Sequence, residues 1–431
     1  MPFSLTYETV KYVNIKDARL AILRSFLLFA IVIYVGVFEM WGQGGWLESS
    51  PVVGVVRFSL QQPTVNNCSP NDEVCQNAFQ PLTELPYCQQ ATKNDGNTTG
   101  YPGTLYPCEI YEATNAQIVS EKSIAIITRA STRKEELVCG EADMVCPRTY
   151  NATSTEHKFY TAQSEAFTIL FDHSVTSSKI CTKRNNYACS SEASKYQGRL
   201  YSKNDHLCAQ EFAKGTAYSH FRGQKKKANA PCYISPNTTI EHQDFFSLGV
   251  LLKSVDVSLD DCNSAVSQGG ACQTYRDSGA TLVLNIYWAD FHAYEGMVEP
   301  FYYYAPQFLA GSSFKQNVPF YHSYRASRTL LNAHGIRVAV LLGGEYHQFN
   351  TVAFLVTLTT ALGLLAVATT VVDTLMLYIL PEKKRYQQAK YEEEGQEESI
   401  ILQDLQPHGE MQLETGDAAH DTNGDLNEPL L

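Results

Sequence analysis

The residues from Val352 to Leu380 form one apolar run that holds a single formal charge, Asp373. The run is longer than the roughly 20 residues a helix needs to cross a hydrocarbon core, so the chain must place a spanning helix near its C-terminal end. A second apolar stretch, uninterrupted from Phe26 to Phe38, is short. It spans only if Leu20-Ala21 and Met40-Trp41 are included and Arg24 snorkels to the interface. The competing reading is a signal peptide cut near Gly42-Gln43-Gly44, against which stands the long leading segment with Glu8 and Asp17. Lys11, Lys16, Arg19 and Arg24 precede the first span, and Lys383, Lys384, Arg385 and Lys390 follow the second. The positive-inside rule therefore puts both termini in the cytosol. The resulting division is a cytosolic N-terminus (1–19), a first span (20–41), an extracellular or lumenal domain (42–349), a second span (350–380) and a cytosolic tail (381–431). Such a multi-pass chain, in contact with membrane lipid, belongs to the plasma membrane or to an intracellular vesicle membrane.

The formal charge of -12 does not describe the body of the chain. The tail from Tyr391 to Leu431 carries 12 acids and no Lys or Arg, which leaves 33 of each sign elsewhere. That tail is polar and poor in aromatics, so disorder is expected, and no basic surface invites nucleic acid. Glu397 to Leu402 and Leu430-Leu431 loosely resemble acidic dileucine sorting signals. All 12 cysteines, Cys68, Cys75, Cys88, Cys108, Cys139, Cys146, Cys181, Cys189, Cys208, Cys232, Cys262 and Cys272, lie between the spans, as a disulfide framework in an oxidising compartment would. Zinc is the alternative, but no pair has the C-x₂-C spacing, so no metal is expected; connectivity stays open. Sequons at Asn67, Asn97, Asn151 and Asn237 fall in the same region and agree with glycosylation there.

From Gly42 to Phe349 short β-type runs are broken by Gly, Pro, Asn and Ser, and long amphipathic periodicity is scarce. The fold class read from this is a membrane protein with two transmembrane helices and a mainly β, disulfide-rich ectodomain. The clearest strands are Ser123 to Thr128, Phe167 to Phe171, Thr281 to Trp288 and Ile336 to Leu342. The last ends in Gly343-Gly344 just before the second span, where it could pull on the helix. Lys225-Lys226-Lys227 reads as a solvated loop, with an anion-attracting patch as the alternative.

No phosphate loop, H-E-x-x-H, G-x-S-x-G or dinucleotide fingerprint is present, so the chain is not expected to be an enzyme and needs no cofactor. What remains is Asp373. A carboxylate on a spanning helix normally faces a bundle interior or a water-filled path, the alternative being a place at the cytosolic edge beside Lys383. One helix cannot enclose a pore, so conduction would require several copies around an axis. Val356, Thr360, Gly363, Val367 and Thr370 recur at three- and four-residue steps, which suits a pore lining or ordinary helix packing equally.

Both ends of the chain carry longer motifs. Tyr7-Glu8-Thr9-Val10-Lys11-Tyr12-Val13-Asn14-Ile15-Lys16 resembles the cytosolic Y-x-T-x-K-x-V-x-I-K segment of the ionotropic purinergic receptors, or P-two-X receptors, the ATP-gated trimeric cation channels. Arg328-Thr329-Leu330-Leu331-Asn332-Ala333-His334-Gly335-Ile336-Arg337-Val338 resembles that family's R-T-L-I-K-A-Y-G-I-R-F strand. From there the register continues through Gly344 and Phe349 to Asp373, on the acid of the pore helix. Tyr386-Gln387-Gln388-Ala389-Lys390 is similar to the Y-x-x-x-K trafficking motif. Glu165-Ala166-Phe167-Thr168, Phe245 to Gly249 and Thr281 to Trp288 add thinner likeness in the ectodomain. The resemblance implies a homotrimer that passes cations, calcium among them, with Thr9, Lys11, Tyr386 and Lys390 in regulatory or trafficking roles.

The family's ATP-gripping residues are altered. The K-x-K strand maps on Arg57-Phe58-Ser59-Leu60-Gln61, the lysine before A-Y-G-I-R becomes Asn332, and N-F-R becomes Ser313-Phe314-Lys315. Thr168, which the family uses for the adenine, is kept beside Phe167. Removing one charge-assisted hydrogen bond costs about 1.5 to 3 kcal/mol, so three missing lysines would cut triphosphate affinity by orders of magnitude. Arg57, Lys315 and Arg328 are the cations left for a rearranged anion site, with ATP the possible small anionic ligand. The family's last cysteine pair is also missing, and Cys262 with Cys272 could substitute for it. Two further readings compete with a ligand-gated cation channel: a non-conducting receptor or adhesion scaffold that binds a protein or glycan, and, more remotely, an enzyme secreted after cleavage near Gly45.

Overall fold

The computed structural model describes residues 14–68, 72–91, 100–139, 150–177, 190–192, 196, 198–214, 217–218, 232–236, 244–267, 271–322 and 326–390. Among the described residues two helices are long and apolar enough to span a membrane, Ala18–Gly42 with 25 residues and Thr351–Ile379 with 29. The first begins at Asp17, whose carboxylate accepts from the Arg19 amide at 2.9 Å and caps the free amides there. It winds as an α-helix over Ala18–Ile33 and then as a π-helix over Tyr34–Gly42, whose backbone bonds reach one residue further and which includes Glu39. The second is α-helical over Thr351–Thr374 and again π-wound over Leu375–Ile379.

Backbone contacts divide the chain into two compact units, Val35–Thr359 and a second made of Met1–Tyr34 with Thr360–Leu431. The larger unit is β-rich. Its centre is the 23-residue strand Ser327–Phe349, the terminal strand, which runs antiparallel to Ser123–Leu137, parallel to Ala280–His292, and antiparallel to both Lys315–His322 and Leu47–Pro51. All four strands expected from the sequence exist, and three extend beyond the expected runs. In the fourth, Phe167 falls just outside, one residue before the strand Thr168–Thr176. Gly344 sits at φ +131°, and a Cβ there would come within 1.9 Å of the Trp288 carbonyl oxygen. Only glycine lets the two strands stay paired at that point.

A second sheet pairs Val53–Gln61 and Asp244–Ser247 with Thr168–Thr176. Alternating residues from the two sheets close one core that includes Phe171, Leu282, Ile286, Trp288, Tyr304 and Val338, all fully buried. This alternation is the period-two signal of half-buried strands, and it explains why helical periodicity is scarce in the sequence. Four disulfides lie among the described residues: Cys68–Cys75, Cys88–Cys108, Cys208–Cys232 and Cys262–Cys272. Cys139 is also disulfide-bonded. Cys146, Cys181 and Cys189 lie outside the described residues.

In the smaller unit, Leu20 of the first span packs with Val372, Met376 and Leu377 of the second and with Tyr386. Tyr386 belongs to a short helix, Lys383–Lys390, that follows the turn at Pro381.

Candidate functional site

The ectodomain ends of the two spans are tied together through backbone and side chains. Leu47–Pro51, directly after the first span, pairs with the end of the terminal strand in the register Leu47↔Phe349 to Pro51↔Glu345. The Asn350 amide nitrogen donates to the Glu48 carboxylate, and the Asn350 side-chain oxygen accepts from the Val352 amide at 2.7 Å, capping the second span. About two turns further, the Thr357 hydroxyl donates to the Gly45 carbonyl at 2.6 Å, and the Trp46 indole donates to the Met40 carbonyl at 3.1 Å. These bonds join the end of the terminal strand and the start of the second span to the segment that follows the first. The attached strand is legible in the sequence but this clasp is not, because Glu48 and Asn350 are 302 positions apart and neither stands in a motif.

On the second span, Val356, Thr360, Gly363, Val367 and Thr370 are all exposed, while Ala368, Val372, Met376 and Leu377 are buried. The threonine hydroxyls are satisfied locally. Thr370 donates to Ala366 O at 3.0 Å and Thr374 to Thr370 O at 2.8 Å, which lets them sit in a membrane without other partners. Leu355, Leu358, Leu362 and Val371 are exposed as well, so the small-residue stripe is one of several faces that a single chain leaves uncovered.

At the other end of this span, Asp373 meets the Lys390 ammonium at 2.5 Å. The Tyr386 hydroxyl lies 2.9 Å from both Asp17 Oδ2 and Glu382 Oε2, one proton between two carboxylates. Those carboxylates push the phenol up to about 12, and the same bond holds Asp17 below its usual range. Thr9 and Lys11 lie outside the described residues.

The five residues singled out for a nucleotide are not brought together in one chain. Arg57 is exposed on the second sheet, opposite Asp172, and half-buried Thr168 sits four ladder positions away, opposite Gln61. Four steps of a strand cover about 13 Å. Lys315 and Arg328 are on the other sheet, Lys315 exposed opposite His334 and Arg328 opposite Tyr321 at the far end of the same hairpin. Phe167 is fully buried, its ring 6.1 Å from that of Phe79, so it belongs to the core. Arg328 is committed: its Nε donates to Glu135 Oε2 at 2.7 Å and its guanidinium lies 4.0 Å over the Tyr150 ring. Burial pushes Glu135 up, but hydrogen bonds from Arg328 and Arg133 outweigh it and leave the carboxyl below its usual range.

Two buried polar networks had no sequence signal. Arg276, 1 % exposed, grips Asp260 through two bonds of 2.7 and 3.0 Å and Glu165 through a third of 3.0 Å, with its guanidinium 3.6 Å over Tyr87. Tyr302 and Tyr304 both donate to Asp244 Oδ2, at 2.8 and 2.7 Å, and His173 bridges Tyr304 to the Trp288 indole. Burial raises Asp244 to about 6 and lowers His173 to about 3. Asn151 is exposed on the strand Tyr150–Ala152, while Asn97 and Asn237 lie outside the described residues, as does the side chain of Asn67. Among the described residues no three His, Cys, Asp or Glu converge as metal ligands would.

Residues 273–393 match the family model of the ATP P2X receptor. Over most of its length the chain is similar to P2X receptors of Dictyostelium discoideum. It is 29 % identical to receptor A over 389 residues, covering 90 % of this chain and 89 % of that one. To receptor E it is 27 % identical over 399 residues, covering 90 % and 87 %. A solved invertebrate P2X receptor from the Gulf Coast tick aligns with 82 % of this chain and 100 % of its own at 13 % identity and a TM-score of 0.43. The chicken ATP-gated P2X7 receptor aligns with 83 % and 99 % at 12 % identity and a TM-score of 0.42.

Proposed function

The chain belongs to the P2X receptor family, and from that premise we propose that it is a homotrimeric, ligand-gated cation channel whose path is lined by the second span and whose response to ATP is weak. The observation that carries this is the uninterrupted passage from the terminal strand through Asn350 into the helix Thr351–Thr374, clasped through Glu48 and Thr357 to the segment directly after the first span. Rearrangement of the β-rich domain would move the strand, and the strand would move the helix. In a trimer the small-residue face of Val356, Thr360, Gly363, Val367 and Thr370 would turn to the axis, with Asp373 favouring cations at the cytosolic mouth. The domain boundaries follow from the same topology, both termini cytosolic, in the plasma membrane or an intracellular vesicle.

ATP is the ligand that the family suggests. The remaining cations for it are Arg57 and Lys315, which lie on different sheets of one chain, so a shared site would have to form between neighbouring copies. Arg328, paired with buried Glu135, would contribute little to it. The same pairing supports the second reading, an architecture that has given up nucleotide for a protein or glycan ligand.

The test is current through planar bilayers holding the purified full-length chain. A cation-selective current that appears or grows with millimolar ATP, and that shrinks in Lys315→Ala, supports the reading. Silence with nucleotides, across pH, and in Thr360 and Gly363 substitutions chosen to hold the helix open would reject conduction. Current without any nucleotide effect would retain the channel and remove ATP.

A further inference from the structure

Lys390 closes the family's trafficking motif, yet its ammonium lies 2.5 Å from Oδ2 of Asp373, the single formal charge of the apolar run Val352 to Leu380. We propose that Lys390 is the counter-ion of Asp373 and sets how strongly this end of the conduction path attracts cations. This inference rests on the channel function proposed above.

The contact is built by the fold rather than by a loose chain end. Leu380 leaves the helix in an extended conformation, Pro381 and Glu382 turn the chain, and Lys383–Lys390 comes back beside the last turns of the second span. Three anchors hold it there. The Gln387 amide donates to the Leu377 carbonyl at 2.8 Å, one of the last carbonyls of a helix that ends at Ile379. The Tyr386 hydroxyl reaches Asp17, which caps the first span. The Tyr386 ring is buried with Leu20, Val372, Met376 and Leu377. Four residues after Tyr386, one helical turn, Lys390 is delivered to the level of Asp373.

The electrostatic consequence is direct. A bare carboxylate on each of three chains would place three negative charges around one axis and focus divalent cations there. A paired carboxylate presents a dipole, whose field falls off faster, and the ring is close to neutral. The Asp373 and Lys390 side chains are 41 % and 23 % exposed, so an ion pair of this kind contributes little to stability, and its effect is read in permeation. From the sequence, cation attraction rested on Asp373 alone, and the pairing makes it conditional on Lys390.

The experiment uses the full-length chain in planar bilayers under bi-ionic calcium and sodium gradients. Lys390→Gln is expected to raise calcium-over-sodium permeability roughly threefold or more. Lys390→Arg, which keeps the charge, returns the ratio to within about twofold of wild type. In an Asp373→Asn background, Lys390→Gln should change nothing further. Should Lys390→Gln fail to assemble, the exchange Asp373→Lys with Lys390→Asp restores a neutral pair and should restore the wild-type ratio. Equal effects of Lys390→Gln with and without Asp373, or an unchanged ratio while Asp373→Asn alone shifts it, would overturn the inference and leave the channel reading intact. Absence of any wild-type current would remove that reading and this inference with it.

Discussion

Arg328 Nε and Glu135 Oε2 stand 2.7 Å apart on paired strands, with the Glu135 side chain only 4 % exposed. A buried carboxylate needs its cation more than a hypothetical phosphate does, since leaving it unpaired costs the full desolvation of the charge. Arg328→Ala should therefore lower the stability of the β-rich domain by about 1 to 3 kcal/mol, part of the loss being offset by Arg133 at 2.5 Å. Nucleotide affinity should change less than it does in Lys315→Ala. Thermal unfolding and nucleotide titration of the purified chain check both, and a variant that binds no nucleotide while unfolding normally would put Arg328 back in the ligand site.

The Asp244 network predicts an unusual pH response. Asp244, at about 6 in the fold against an ordinary 3.8, binds its proton more tightly when folded, so its contribution is full below about pH 4 and lost as pH rises through 6. His173 runs the other way. Held at about 3 by burial, with Nδ1 accepting from Trp288, it contributes above pH 6.5 and loses that contribution as pH falls; His334, lowered to about 4 by burial and by Arg129, adds to the same trend. Between pH 6.5 and 4.5 Asp244 thus offsets the histidines. Asp244→Asn removes the offset, so its urea midpoint should fall more steeply over that interval, by about 2 kcal/mol of stability relative to wild type. Parallel curves for the two proteins would exclude the assignment.

The clasp at the spans offers a direct handle on gating. Thr357→Val keeps shape and removes the bond to Gly45, worth about 1 kcal/mol, or roughly fivefold in an equilibrium that breaks it. If opening separates the helices there, open probability at a fixed stimulus should rise by up to that factor. Single-channel recording decides, and an unchanged open probability would mean that this bond survives opening.

Much of this architecture could be read from the sequence because it rests on local periodicity. The apolar run around Asp373 dictated one helix. The alternation in Thr281 to Trp288 and Ile336 to Leu342 dictated strands that the structure pairs in register. The short first span emerged with its ends at Ala18 and Gly42, where the residues beyond Phe38 wind as a π-helix rather than stopping. What escaped the sequence was every relationship between distant positions: Thr357 with Gly45, Arg276 with Glu165 and Asp260, and Lys390 with Asp373. Phe167 shows the limit from the other side, a residue chosen for its motif neighbours and found at the centre of the core.

Arg276 shows how such a pairing reaches the candidate site. Its guanidinium spends both faces of its fork, on Asp260 and on Glu165, and the second grip fixes the short turn Ser164–Ala166 that leads into Phe167 and Thr168. Lysine cannot reproduce that fork, although it keeps the charge. Arg276→Lys should therefore destabilise the domain, and Arg276→Ala should do so by about 1 to 3 kcal/mol, because the hydrogen bonds to Asp260 and Glu165 and the contact with buried Tyr87 are lost while the two half-exposed carboxylates regain water. The informative variant is Glu165→Gln. It loosens only the turn, so thermal stability should fall by about 1 kcal/mol, while any nucleotide response that depends on Thr168 should fall more than stability does. Equal losses in both readouts would show that the turn is structural alone and that Thr168 does not meet the ligand.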